Sequence, residues 1–235
     1  MRKALIAAVL LAASAGLSPA AAEAAPPPIT TASLKTTQPA TTCVRGAARP
    51  LINGTTPVLH AFVPAPAGGN PISVSVDFRI TDLADNSVVF SAQSYTKVQG
   101  VWYEPQINPT LLDGKTYSWQ ARVFDGTEYS AWSATCEFSI DTVKPNSPVV
   151  TITPAGGVYK VGQRITLHFG ANGSTDVAKY SYHLMGKPPV DVKPCPGTAT
   201  IKLTTVGPDS ITAASYDKAG NESFDDTIVD FTVLS

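Results

Sequence analysis

Residues 111–140 read LLDGKTYSWQARVFDGTEYSAWSATCEFSI, and the fold turns on how they alternate. In KTYSWQARV, Tyr117, Trp119, Ala121 and Val123 take every second place, with Ser118, Gln120 and Arg122 between them. A period of two is the mark of a strand with one face in a core. The run WSATCEFSI repeats it with Trp132, Ala134, Cys136, Phe138 and Ile140. LLDGK (111–115) and FDGTE (124–128) carry the Asp and Gly that tight turns need. Upstream, ISVSVDFRI (72–80) alternates Ile72, Val74, Val76, Phe78 and Ile80 with polar residues, and DLADNS (82–87) follows as a turn.

A second round of strands lies beyond DTVKPNSP (141–148), a short segment whose two prolines predict a stiff connection. It comprises ITLHF (165–169), AKYSYHL (178–184), TATIKL (198–203), SITAASY (210–216) and TIVDFTV (227–233). VFDGTEYS in the first round matches SYDKAGNES in the second, setting Asp125 against Asp217, 92 positions on. EFSI and DFTV set Phe138 against Phe231, 93 positions on. A near-constant offset means a duplicated domain rather than one large barrel. The expected fold is therefore all-β: two tandem antiparallel β-sandwiches, at residues 43–141 and 149–235, joined by a linker at 142–148.

The N-terminus predicts the compartment. Arg2 and Lys3 precede the uncharged run ALIAAVLLAASAGL, and SPAAAEAA follows with small residues at sites where a signal peptidase cuts. The run is too short to span a bilayer, so residues 1–24 read as a secretory signal cleaved after Ala22 or Ala24. There is no Cys near the cut for lipid attachment, and the expectation is a soluble protein that is secreted or retained at the wall. Residues 25–42 are Pro/Thr-rich with little to bury and read as a partly disordered lead-in, with room for a first edge strand. Cleavage after Ala22 removes Arg2 and Lys3, taking Lys+Arg from 17 to 15 against 18 Asp+Glu, a net charge of −3. With no basic stripe, nucleic acid and anionic membrane are poor partners.

LLDGKTYSWQARVFDGTEYSAWSATCEFSIDTVKP resembles the end of a fibronectin type III-like sandwich of secreted actinobacterial proteins, and the second half resembles a degenerate copy. Tyr117, two residues before Trp119 and just after the LLDG turn, matches that family's tyrosine corner. The resemblance covers residues 43–235 and implies the fold far more than a function, because such modules accompany enzymes, adhesins and spacers alike. YSAWS (129–133) also resembles the Trp-Ser-x-Trp-Ser box of class I cytokine receptors, with Tyr129 in the first Trp position. That resemblance implies stacking of Tyr129 and Trp132 with Arg side chains of the neighbouring strand, Arg122 among them. Strict alternation points Trp132 inward with Cys136 and Phe138; an outward Trp132 requires a bulge between them.

Candidate chemistry is sparse. Ser130 and Ser133 have no G-x-S-x-G elbow and no nearby His, so neither reads as a nucleophile. His168 and His183 fall on polar faces of strands expected in opposite sheets, and His60 belongs to the other domain, so no metal set forms. The DKAGN turn (217–221), with Asp225 and Asp226 nearby, lacks the D-x-D-x-D spacing of a dedicated Ca²⁺ loop and reads as a plain turn. No pair of carboxylates is spaced for glycoside hydrolysis. Asn53, Asn172 and Asn221 head N-x-S/T sequons, which matter only in a glycosylating source.

Cys43 opens the first domain and Cys136 sits in its last strand, so an oxidising compartment predicts a bridge between them. Cys195, in KPCPGT, is left over as a free thiol, an adduct or a bridge to a second copy, the dimer being the disfavoured option. The expectation is a non-enzyme without cofactor or metal, a binding or spacer module at a cell wall, on a polysaccharide or with a protein partner. The alternative is a glycan-binding accessory to polysaccharide breakdown that stacks sugars on Trp102, Tyr129 or Trp132.

Overall fold

The computed structural model describes residues 25–36 and 41–235; the expected signal peptide, residues 1–24, lies outside the described residues. The first sandwich is built from β1 (Leu34–Thr36), β2 (Thr41–Thr42), β3 (Leu51–Ile52), β4 (Leu59–Val63), β5 (Ser73–Asp82), β6 (Val88–Gln93), β7 (Lys97–Val98), β8 (Val101–Tyr103), β9 (Thr116–Phe124) and β10 (Cys136–Ile140). One sheet runs β2-β1-β4-β8 and the other β3-β10-β9-β5-β6, with β7 continuing along β5. The second sandwich is built from β11 (Val149–Thr153), β12 (Val158–Lys160), β13 (Arg164–Gly170), β14 (Val177–Leu184), β15 (Val190–Val192), β16 (Thr198–Lys202), β17 (Gly207–Asp217) and β18 (Thr227–Leu234). Its sheets run β11-β13-β16 and β12-β18-β17-β14-β15.

The expected alternation holds along β5 and β9. Val76, Phe78 and Ile80 of β5 pair with Val123, Ala121 and Trp119 of β9. Tyr117 lies opposite Asp82, Val74 extends the β5 row, and the apolar residues of both rows are all buried. Ile72 lies just outside β5 and is exposed. Phe138 and Ile140 complete the layer from β10. In the second sandwich Ile165, Leu167, Tyr180, Ile211, Phe231 and Val233 do the same work around a separate core. All the ladders between adjacent strands are antiparallel except β3–β10 and β12–β18, where an early strand of each sandwich joins the last one in parallel. Each repeat thus fastens its entry to its exit by the same pairing.

Two expectations need correction. Part of the Pro/Thr-rich lead-in is built into the first sandwich: Leu34 pairs with Ala61 and is fully buried, and Ile29 is buried before it. The alternating core positions of that segment are Leu34 and Thr36, too few to show as a pattern in sequence. The second correction concerns WSATCEFSI. Strand β10 starts only at Cys136, and over 130–136 the buried positions are Ser130, Ser133 and Cys136, a period of three. That is the repeat of a polyproline-II turn, not of a strand. Trp132 therefore faces outward and Ala134 is exposed.

Candidate functional site

The period of three follows from two serines that replace the missing ladder. The Ser130 amide donates to the Val123 carbonyl, and its Oγ accepts the Val123 N–H at 2.9 Å. Ser133 repeats this on Ala121, donating to its carbonyl and accepting its N–H at 3.0 Å. Each hydroxyl then donates to the carbonyl one residue on, Ala131 or Ala134, at 2.9 Å. Ser94 makes the same arrangement on Val76 at the end of β6. In the second sandwich Ser223 accepts the Ser215 N–H and donates its own amide back. A buried hydroxyl with its donor and acceptor capacity consumed by backbone is a structural part, not a nucleophile.

Between these serines the aromatic side chains stack outward. The Arg79 guanidinium lies 4.1 Å from the centre of the Trp132 ring, and Arg122 lies 4.5 Å from the same ring. Arg122 also sits 3.8 Å from the Tyr129 ring, whose neighbour Phe124 is 4.6 Å away, centre to centre. Asp77 accepts two hydrogen bonds from Arg122, and Gln120 accepts one from Arg79, so both guanidinium planes are held in place. The expected Arg122 stack is present, and Arg79 joins it, brought alongside because β5 pairs with β9. Trp132→Ala should lower stability by about 2 kcal/mol, from two cation–π contacts of about 0.5–1 kcal/mol each plus the apolar area of a half-buried indole. Thermal melts followed by far-UV circular dichroism check this.

Trp102 lies elsewhere, on the outer face of the β1–β4–β8 sheet. Phe62 is its cross-strand neighbour at 5.4 Å, His60 approaches edge-on at 6.4 Å, and the Lys35 ammonium lies 4.8 Å from its centre. All three rings proposed for stacking thus carry a cation of the same chain. The histidines do not converge: His60 pairs with Glu104 at 3.0 Å in the first sandwich, while His168 and His183 sit in opposite sheets of the second. Tyr117 forms its corner, the hydroxyl accepting the Leu112 N–H at 3.1 Å. Cys43 and Cys136 form a disulfide with Cα atoms 4.9 Å apart, and Cys195 is an exposed free cysteine.

The DKAGN turn has a partner set that its sequence did not reveal. Asp217 is buried, and both of its oxygens accept from Asn221, one from the backbone amide and one from the side chain, each at 2.8 Å. Its carboxylate lies within 4.8 Å of those of Asp141 and Asp176, while the nearby Asp225 and Asp226 are not in the group. Asp141 ends the first sandwich and Asp176 precedes β14, so topology alone joins them. The Asp141 carboxyl is pushed above its ordinary value, first by partial burial and then by the charges of Asp217, Asp176 and Asp113. A carboxyl whose pKa is raised on folding favours the folded state below that pKa and loses this contribution as pH rises through it. Asp141→Asn should therefore raise the melting temperature at neutral pH and remove the loss of stability that this carboxyl causes as pH rises from about 4 towards 7. Melts of both proteins across that range check it.

No protein-family model matches the sequence, and a search of curated proteins finds no match. Among solved structures, the chicken CNTN1 FN1–FN3 domains align with a TM-score of 0.55 at 13% identity, over 91% of this chain and 70% of that one. The fibronectin(III)-like modules of Clostridium thermocellum CbhA align with a TM-score of 0.52 at 14% identity, over 82% of this chain and 93% of that one. The fold is that of tandem fibronectin III-like β-sandwiches.

Proposed function

We propose that this chain is a non-catalytic extracellular module that acts as a stiff spacer, holding its two sandwiches at a fixed angle for whatever each end adjoins. The observation that carries the reading is the segment from Asp141 to Pro148, which is hydrogen-bonded into both sandwiches. On the first side, the Asp141 amide donates to Ile52 and the Thr142 amide to Asp113 Oδ1. On the second, Asn221 Nδ2 donates to the Asp141 carbonyl at 2.8 Å, and the Ser215, Ser147 and Thr227 hydroxyls donate to the carbonyls of Asn146, Asp225 and Pro148 respectively. Pro145 and Pro148 are buried and fix the backbone between these bonds. A linker whose polar groups are consumed on both sides behaves as a joint without play, unlike a free polar tether. The capped faces of Tyr129, Trp132 and Trp102 weigh for the spacer over the glycan-stacking alternative. The disulfide fits an oxidising compartment, and wall or surface association is part of the proposal.

The test is a distance measurement between spin labels on exposed sites of the two sandwiches, read by double electron–electron resonance. A narrow distribution is expected for the native chain and a broadened one for Asn221→Ala, which removes the contacts with Asp141 and Asp217. A distribution equally broad in both proteins overturns the spacer reading. A glycan array on the native chain tests the alternative, and the spacer reading predicts no binding through the three rings.

A further inference from the structure

The second sandwich has an open groove of about 330 Å³. It lies at the edge between β14–β15 and the facing strand β16. In the first sandwich the strand in the matching sheet position, β8, turns the large Tyr103 inward, fully buried and donating its hydroxyl to the Lys97 carbonyl at 2.8 Å. In the second, β16 turns Ala199 and Ile201 inward, opposite Leu167 and Ile165 of β13. Neither β16 residue fills the space, and Ile201 and Leu184 remain only partly buried against the core. Leu203 and Val233 complete an apolar floor. The volume is at the lower end of small-ligand pockets, roughly 300–1,000 Å³.

The mouth is charged. Lys187 and Lys202 line it, are exposed, and make no ion pair among the described residues. The one acid of the lining, Asp209, is held by its Oδ1, which accepts the amides of Met185 and Ser210, and leaves the lysines in excess two to one. An apolar trough with two unpaired ammonium groups at its opening complements an apolar chain that ends in an anion. We propose that this groove binds a medium-chain anionic amphiphile, a fatty-acid-like molecule whose alkyl chain completes the core between β14 and β16 and whose carboxylate meets Lys187 and Lys202. Burial of the chain supplies most of the affinity, and the lysines select the head.

The experiment titrates decanoate and decanol separately, below their aggregation limits, into the full mature chain, following amide resonances by NMR. Decanoate is expected to bind with shifts centred on Leu184, Ile201 and Leu203, and more tightly than decanol. A Lys187→Glu, Lys202→Glu double variant, altering only exposed side chains, should weaken decanoate by about tenfold and leave decanol unchanged. Ile201→Trp should fill the groove and abolish both. Absence of decanoate binding, or binding that survives Ile201→Trp with unchanged shifts, overturns the site. Decanol binding as tightly as decanoate, with no loss on charge reversal, overturns the anionic head. Should Ile201→Trp not fold, the double variant and the alcohol comparison still decide the matter.

Discussion

The Cys43→Ala, Cys136→Ala protein should melt about 15–30 °C below the native chain in its first sandwich while the second melts unchanged. The bridge closes a loop of 93 residues, which in the chain-entropy account contributes about 4–5 kcal/mol by restricting the unfolded state. Net stability of such a domain is only about 5–15 kcal/mol, so the loss is a large share of it. The entry segment does not rely on sulfur alone. Glu137 donates its amide to Val44, its carboxylate accepts from the Gly46 amide and from Arg49, and β3 pairs with β10. These bonds keep the variant folded at low temperature. Alanine is the right replacement because Cys136 is buried, and a serine hydroxyl there would add a polar group to the core. Trp102, Trp119 and Trp132 are the only tryptophans and all lie in the first sandwich, so indole fluorescence follows its unfolding selectively. Non-reducing peptide mapping of the native chain should return the Cys43–Cys136 pair with Cys195 open to alkylation. Recovery of Cys195 bridged to either partner, or a fluorescence midpoint moved by only a few degrees, would refute this account.

What could be read from the sequence depended on whether a residue's environment is set by its own strand. β5 and β9 pair over Ser75–Asp82 and Tyr117–Phe124, so sheet geometry forces the period of two there and the core face is visible in the order of residues. Tyr129 to Thr135 has only β9 beside it, and the backbone of β9 is met by serine hydroxyls instead of by a ladder. The side-chain period changes to three, which a reading by alternation misses, although the paired serines three residues apart are a usable signal. Leu34 was hidden for another reason: three residues of strand between Thr- and Pro-rich neighbours offer too little pattern. The trio Asp141, Asp176 and Asp217 has no spacing rule at all, since it forms only when the second sandwich docks against the end of β10. The groove was equally out of reach. It arises from an inward Tyr103 in one repeat and smaller inward residues in the other, and the sequence match between the repeats covers only their last two strands.

Trp119→Ala should destabilise the first sandwich by about 3–5 kcal/mol, whereas Trp119→Phe should change it by about 1 kcal/mol. Trp119 is 1% exposed at the centre of the β9 ladder, level with Cys136 on one side and Ile80 on the other. Its ring stacks on Phe78 with centroids 6.3 Å apart. Truncation to alanine leaves a cavity beside the disulfide, and the rigid sheets on both sides cannot collapse into it. Phenylalanine removes less volume and also removes an unfavourable feature. The indole Nε1–H of Trp119 is buried with no hydrogen-bond partner, a penalty of about 1–3 kcal/mol that the native chain carries and a phenyl ring does not. The two effects oppose each other in both variants, nearly cancelling for Phe and leaving the larger volume cost dominant for Ala. Urea titrations followed by circular dichroism give both values, since indole emission changes with the substitution itself. A Phe variant destabilised by well over about 1 kcal/mol relative to the native chain would refute the unpartnered Nε1–H, since losing a satisfied donor brings no offsetting gain.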